Sequence, residues 1–393
     1  MTYLSADLVL GDEIAASRPL RQDPRALMAE RLPARLQPFL TWLTAKPAPG
    51  EELRQRSPRS FLFGALAWIL GGVVLTCLGL ASGHAAGLLP VFLGLTATCC
   101  GLGLFQVVLF HHCSHGTVFR TREANRRAGR LISAFLLFKR FDDYQREHML
   151  HHSANKLLTE EDEFTGFVFG MCRLEPGIGK RELWRRVALG LVSPGFHARF
   201  LSRRVQSALL SGDLRHDLPG WAFWAALFGI AAATGSLTWL LVAWVLPVTV
   251  LLQVATVFRI LCEHRFPDEA LIHARGKAFV CASTIGVFPG AMPPAASAAT
   301  ARGLAAWTLW WADMLTVTLF ARLFVLVGDA PCHDYHHRRP ASRKWTSYAQ
   351  ARQLDQDAGS PGFPMNYTEN WGLLHAVDHN LGTLAATPPG LVA

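Results

Sequence analysis

Apolar and polar positions are arranged along this chain in long blocks. Ser57-Pro58 reads as a helix cap followed by proline at the first helical position, and Phe61 to Ser82 is then free of charge. A short neutral loop, Gly83 to Gly87, leads into a second uncharged block, Leu88 to Phe110. Each block is long enough to cross a bilayer core, and so short a loop makes the two an antiparallel hairpin. Asp217 and Pro219 repeat the cap-plus-proline start. Trp221 to Thr234 and Leu237 to Val257, joined by Gly235-Ser236, read as a second hairpin with Pro247 as its point of kinking.

The intervening segments are polar. Residues 1–57 are Arg-rich and carry Pro33, Pro38, Pro47 and Pro49. Arg25 to Leu43 reads as short surface helices broken at the first two prolines and anchored by Trp42. Met1 to Leu20 lacks the basic and apolar regions of a signal peptide. Residues 116–218 are crowded with Arg and Lys, which marks the cytoplasmic side. Gly303 to Val327 is long enough to cross but contains Asp313 and Arg322, which are costly at membrane depth. It reads as a half-buried helix over the site with Trp307, Trp310 and Trp311 at the interface; otherwise Ala278 to Ala291 must cross with it. The expectation is an all-α membrane protein with four transmembrane helices, about 61–82, 88–110, 220–234 and 237–258, in two hairpins under a cytoplasmic helical cap. A membrane domain, 58–345, lies between a cytoplasmic N-terminal arm, 1–57, and a cytoplasmic C-terminal tail, 346–393.

Composition agrees with a membrane protein: 51% of residues are hydrophobic and 17% charged. The net charge of +9 sits between apolar blocks, so the positive-inside rule explains it and no nucleic-acid partner is implied. The eight Cys contain no CxxC, which excludes a disulfide framework, a rubredoxin-type site and a zinc ribbon. Cys113 and Cys332 adjoin histidine clusters and read as reduced packing thiols.

The chemistry lies in the histidines. His111-His112-Cys113-Ser114-His115, His148-Met149-Leu150-His151-His152 and His333-Asp334-Tyr335-His336-His337 read HxxxH, HxxHH and HxxHH. On a helix, positions i, i+3 and i+4 share one face, so each cluster aims its imidazoles at one point. With 16 His in the chain, HxxHH is expected by chance roughly 0.03 times, yet it occurs twice. A structural zinc takes four ligands and prefers Cys with His, whereas eight imidazoles suit two metals. There is no HExxH of a zinc peptidase and no carboxylate-rich set of a soluble di-iron bundle. A metal transporter would hold its ligands near the bilayer midplane, and a haem subunit would place single His within facing spans; here the clusters lie beyond the span ends.

In their order, interleaved with spans from about Phe61 to His337, these clusters resemble the membrane fatty acid desaturase and hydroxylase superfamily. The resemblance implies two iron ions held by His111, His115, His148, His151, His152, His333, His336 and His337. It implies dioxygen-dependent attack on an unactivated C–H bond of an acyl or other lipid chain. A fatty acid desaturase leads; a lipid or alkane hydroxylase and an oxidative fatty acid decarboxylase are the alternatives. With no Rossmann, iron–sulfur or haem motif in the chain, a separate donor is implied, a ferredoxin, rubredoxin or cytochrome. The setting implied is a bacterial inner membrane with the site on the cytoplasmic side. His264, just past the fourth span, is the expected ninth ligand, with His112, Glu263 and Asp334 as an extra ligand or as supports for one. Glu160-Glu161-Asp162-Glu163 is either a solvated face or a set of acidic partners to the ligands. Asn366 to Gly372 resembles an alkane-hydroxylase motif, departing in its order and in having Asn370 where that motif has His.

Overall fold

The computed structural model describes residues 23–392. The expectation for Met1 to Leu20 lies outside the described residues. The fold is almost entirely helical, with one two-stranded sheet.

The N-terminal arm forms α1, Pro24–Arg31, and α2, Gln37–Thr44. The chain turns at Leu32 and Pro33, because proline cannot continue the helix hydrogen bonds. Next come α3, Pro58–Ala81, and the continuous helix α4, Ala85–Ser114. Ser57 Oγ accepts from Ser60 N to start α3. The α3–α4 hairpin closes on small residues: a Cβ added to Gly72 would stand 2.5 Å from Thr98 N, and one on Gly94 2.5 Å from Thr76 N. Such close backbone approach is how helices associate where lipid removes the hydrophobic drive. A Gly94→Val change is therefore expected to splay the hairpin, at a cost at or above the roughly 1–3 kcal/mol of ordinary overpacking. It should show as loss of the monodisperse peak after detergent extraction, while Gly71→Val, at a position with open space around it, should be tolerated.

The chain then forms α5, Arg122–Leu136, and α6, Phe141–His151. Asp142 in the first turn of α6 accepts from Arg126 and Arg130 of α5. Phe141 fills the space that a side chain at Gly129 would need. These contacts fix the face that α6 presents. Beyond them run α7, Lys180–Val192, α8, Pro194–Leu209, α9, Leu214–Ala233, and α10, Leu237–Glu263. Arg204 of α8 is buried and donates to the carbonyls of Leu136, Leu137 and Val248, closing the C-terminus of α5.

After α10 come α11, Gly276–Ser283, β1, Gly286–Phe288, and the long helix α12, Ala301–Phe324. The chain ends through α13, His333–Arg338, α14, Tyr348–Asp357, β2, Glu369–Trp371, and α15, Leu373–Ala386. Strands β1 and β2 pair in parallel, Val287 opposite Asn370.

Among the described residues, α3, α4, α10 and α12 are long and apolar enough to cross a membrane. Three of these coincide with expected spans. The expected span at 220–234 is the second half of α9, whose N-cap is Asp213 rather than Asp217 and which carries Pro219 inside it. Including Arg215, His216 and Asp217 lowers the apolar character of α9 as a whole. Conversely, the charges of α12 are accommodated. Arg322 is buried and donates to the carbonyls of Trp42, Leu326 and Gly328, and Asp313 accepts from Thr318. One face of α12, Trp310 and Met314, packs on Met28, Leu40 and Leu43, while Leu304, Leu309 and Val317 are exposed. The stretch 278–291 divides into α11 and β1, neither long enough to cross.

The segment 346–392 is packed into the domain rather than set apart from it. Besides the β1–β2 pairing, Asn380 of α15 donates to the carbonyls of Leu261 and Cys262, capping α10 one residue before Glu263.

Candidate metal centre

Each histidine cluster sits where a helix ends or turns. The last part of α4 is a π-helical stretch, Leu104–Phe110, followed by one α-turn, His111–Ser114. A π-bulge re-aims the side chains after it, and such bulges gather at functional sites. Here it brings His111 and His115 toward α6, which carries His148 and His151 and ends at His152. His264 caps α10 in an extended conformation, φ −124° and ψ 146°, bridged to Thr284. Helix α13 carries His333, His336 and His337.

These residues meet as two groups. His111, His115, His148 and His336 form one; His151, His264, His333 and His337 form the other, and within each the ring nitrogens lie within 4.8 Å of one another. In the first, Nε2 of His111 is 2.7 Å from Nε2 of His336, and that of His148 is 3.0 Å from that of His115. In the second, His264 Nε2 is 3.1 Å from His151 Nε2 and 3.0 Å from His333 Nε2, which is 3.0 Å from His337 Nε2. His152 lies between them, its Nε2 3.0 Å from that of His148 and its ring 4.5 Å from those of both His336 and His337.

Hydrogen bonding cannot account for this. A neutral imidazole has one donor and one acceptor, so an Nε2 that faces two others cannot satisfy both. Nor can the rings share charge. Burial and then the neighbouring imidazoles hold His148, His333, His336 and His337 well below the ordinary histidine range, and His115 is pushed down to about 3. Convergent neutral Nε2 lone pairs are the donor set of a metal cation.

One cavity, about 600 Å³, borders both groups, touching His111, His148, His151, His264 and His333. Phe110, Phe138, Phe164 and Phe200 are among its apolar lining; Lys139, Glu147, Glu160 and Arg203 stand among its polar residues. A larger apolar cavity of about 1180 Å³ between the hairpins reaches none of these histidines. Reaction chemistry therefore belongs to the smaller one, whose volume suits a small-molecule site.

A family model described as fatty acid desaturase matches residues 85–371. The chain belongs to the fatty acid desaturase family. No curated protein matches it. Membership makes it an oxidoreductase acting on lipid in a membrane, in agreement with the histidine clusters and the helical fold.

Other groups of this desaturase-family protein hold the imidazoles from behind. Asp162, whose side chain is fully buried, accepts from His151 Nδ1 at 2.8 Å and also from the backbone N–H of Leu158 and Phe164. Burial alone would lower His151, but Asp162 turns the shift upward. The acidic run is thus divided: Asp162 is a partner, whereas Glu160 and Glu161 are exposed. Tyr144 OH lies 3.3 Å from His111 Nδ1 and Tyr348 OH 3.1 Å from His336 Nδ1. No motif in the sequence singles out either tyrosine. Removing such a partner typically costs 10–100-fold in metal affinity. Asp162→Asn is expected to lose metal in that range, read by competition with a chelator, with Glu161→Gln as the unaffected control.

The remaining candidates stand outside the two groups. His112 Nε2 is 2.7 Å from Asp329 Oδ2. Glu263 pairs with Arg259 at 2.9 Å and lies 3.9 Å from His333 Nδ1. Asp334 points the other way, into Arg352 at 2.7 Å. Asn370 is buried on β2 and belongs to neither group.

Proposed function

We propose that this protein is a non-haem di-iron fatty acid desaturase. It inserts a double bond into an acyl chain using dioxygen and electrons from a separate protein donor. The observation that carries the reading is the pair of buried imidazole groups flanking one amphipathic cavity. The nine histidines named above, with His152 joining the first group, would hold the two ions. Eight to nine imidazoles with no thiolate among them suit iron better than a four-ligand, Cys-favouring structural zinc.

Bound iron supplies the dioxygen chemistry that an unactivated C–H bond requires. The protein's own residues do the rest. The Asp162 carboxylate takes the Nδ1–H of His151, which leaves the Nε2 lone pair directed at the ion. Phe110, Phe138, Phe164 and Phe200 give an acyl chain a dry wall beside both groups. Lys139 and Arg203 border the same cavity and suit an anionic or ester head. The Arg-rich helices α5 to α8 lie on the histidine side of the spans, which supports a cytoplasmic site in a bacterial inner membrane.

Expression in a host of defined lipid composition, with mass spectrometry of lipids and hydrocarbons, tests the reaction. New double bonds at a fixed position support it; alcohols or chain-shortened alkenes in their place assign hydroxylation or decarboxylation. Elemental analysis after gentle purification should find about two irons per chain, since the two groups can hold one ion each. A zinc-only protein that consumes no oxygen would overturn the reading.

A further inference from the structure

The two flanks of the histidine groups differ in charge. The charges bordering the reaction cavity are largely paired: Glu147 and Glu163 with Lys139, Glu161 with Lys156, and Glu263 with Arg259. On the other flank a second cavity, about 950 Å³, extends beneath residues 53–57 to Asp329, Trp345 and Tyr348. Its rim is basic. Arg54 and Arg56 line it, Arg59 follows in the first turn of α3, and Arg343 and Lys344 directly precede Trp345. These side chains are exposed and make no ion pair among the described residues. Of the acids there, Glu51 is bonded to Thr41 and to Ala48 N, and Asp329 to His112, which leaves Glu52.

Beneath the rim, rings stack toward the first histidine group. Trp345 is 1% exposed and lies nearly parallel to His112, centroids 4.9 Å apart and planes at 16°. The His112 ring is 5.0 Å from His111 and 5.7 Å from His336, both members of that group. Asp329 holds His112 Nε2, which keeps this imidazole out of the group and against the indole. Nothing in the lipid chemistry uses this assembly.

We propose that the basic rim is the docking face for an acidic one-electron protein donor, and that Trp345 and His112 are the contact path along which its electron reaches the first histidine group. The proposal rests on the oxidoreductase reading above. The balance is complete for desaturation: one O2 becomes two waters. The substrate gives two hydrogen atoms, two donor molecules give one electron each and are oxidised, and water gives two protons. Each transfer would deliver one electron to the group that the histidines hold. Complementary charge steers such a donor to this rim, whose cations are unpaired among the described residues, while the largely paired charges of the reaction cavity leave that side to lipid.

The test uses the full chain in nanodiscs of neutral lipid, titrated with a plant-type [2Fe–2S] ferredoxin at low and high salt. Affinity is read from binding alone, so the result does not depend on turnover. Arg54→Gln/Arg56→Gln/Lys344→Gln should weaken binding at least tenfold at low salt and flatten its salt dependence. Arg181→Gln/Arg199→Gln, exposed cations elsewhere, should not. In stopped flow, Trp345→Leu should slow ferredoxin oxidation tenfold or more without changing affinity, and Trp345→Phe should recover most of the rate. Trp345 is buried, so the exposed rim variants carry the test if Trp345→Leu fails to fold. Unchanged ferredoxin affinity in the rim variant overturns the proposal. So does a rim variant that loses only co-purifying anionic lipid, which would make the rim a headgroup contact. A protein that binds ferredoxin through the rim but oxidises no lipid refutes the functional reading and leaves the docking face standing.

Discussion

His264→Ala is expected to lose metal and to drop turnover by more than about 100-fold, beyond the 10–100-fold typical of losing a residue that only supports a ligand. The position is not part of any histidine cluster, yet its Nε2 is 3.1 Å from that of His151 and 3.0 Å from that of His333. Without it the second group retains three imidazoles, drawn from α6 and α13, and nothing from α10. The comparison that isolates the loss of metal is His112→Ala. His112 is equally buried but is committed to Asp329, so metal content should survive its loss. His273→Ala should be silent, because that side chain is exposed and its nearest charged partner is Glu269. Metal analysis and oxygen-dependent lipid oxidation are the two measurements. Full metal occupancy with normal product in His264→Ala would show that the second group closes without α10.

Arg352→Met is expected to destabilise the fold by about 3–5 kcal/mol, the cost of removing one partner from a buried ion pair. Arg352 donates to both oxygens of Asp334 and to Glu369, and it and Asp334 are almost fully buried. Lys46 reaches the same Glu369 from the N-terminal arm at 2.6 Å. One guanidinium thus joins α13, which carries His333, to strand β2, and through Glu369 to the arm. Its loss leaves Asp334 without a counter-ion beside His333. A lower unfolding temperature in detergent, with metal released below it, is the expected reading. Arg352→Lys should recover only part, because an ammonium cannot bridge Asp334 and Glu369 in the same fork. The pair also carries a pH dependence. Burial would raise Glu369, but Arg352 and Lys46 together hold it below the usual glutamate range. Its contribution is therefore present above the ordinary carboxylate pKa and is lost as pH falls toward its depressed value. Tail docking should weaken only in acid.

The sequence by itself determined the class of the protein and most of its chemistry. Uncharged blocks as long as Phe61 to Ser82 have no soluble use, and imidazoles at i, i+3 and i+4 must share a face of whatever helix carries them. Both are local facts, set by composition and helical period. Proline likewise marked the break between α1 and α2. Elsewhere local pattern was insufficient. Asp217-Leu218-Pro219 looks like a helix start, but Asp213 caps α9 and the polar turn lies inside the helix. Asp313 and Arg322 look like an obstacle to a membrane helix, but Arg322 finds its acceptors on Trp42, Leu326 and Gly328. Which nitrogen faces which was also beyond the sequence. The division into two groups takes members from different clusters, His111 with His336 and His151 with His264, because α4, α6, α10 and α13 converge from distant parts of the chain. The sequence marks Asp162 only as part of a charge run, and the tertiary structure alone buries it on His151. The same holds for Asp334, next to His333 in sequence but turned toward Arg352, since adjacent helical residues point about 100° apart. Periodicity specifies what one helix presents, and only the packing of several decides what it is presented to.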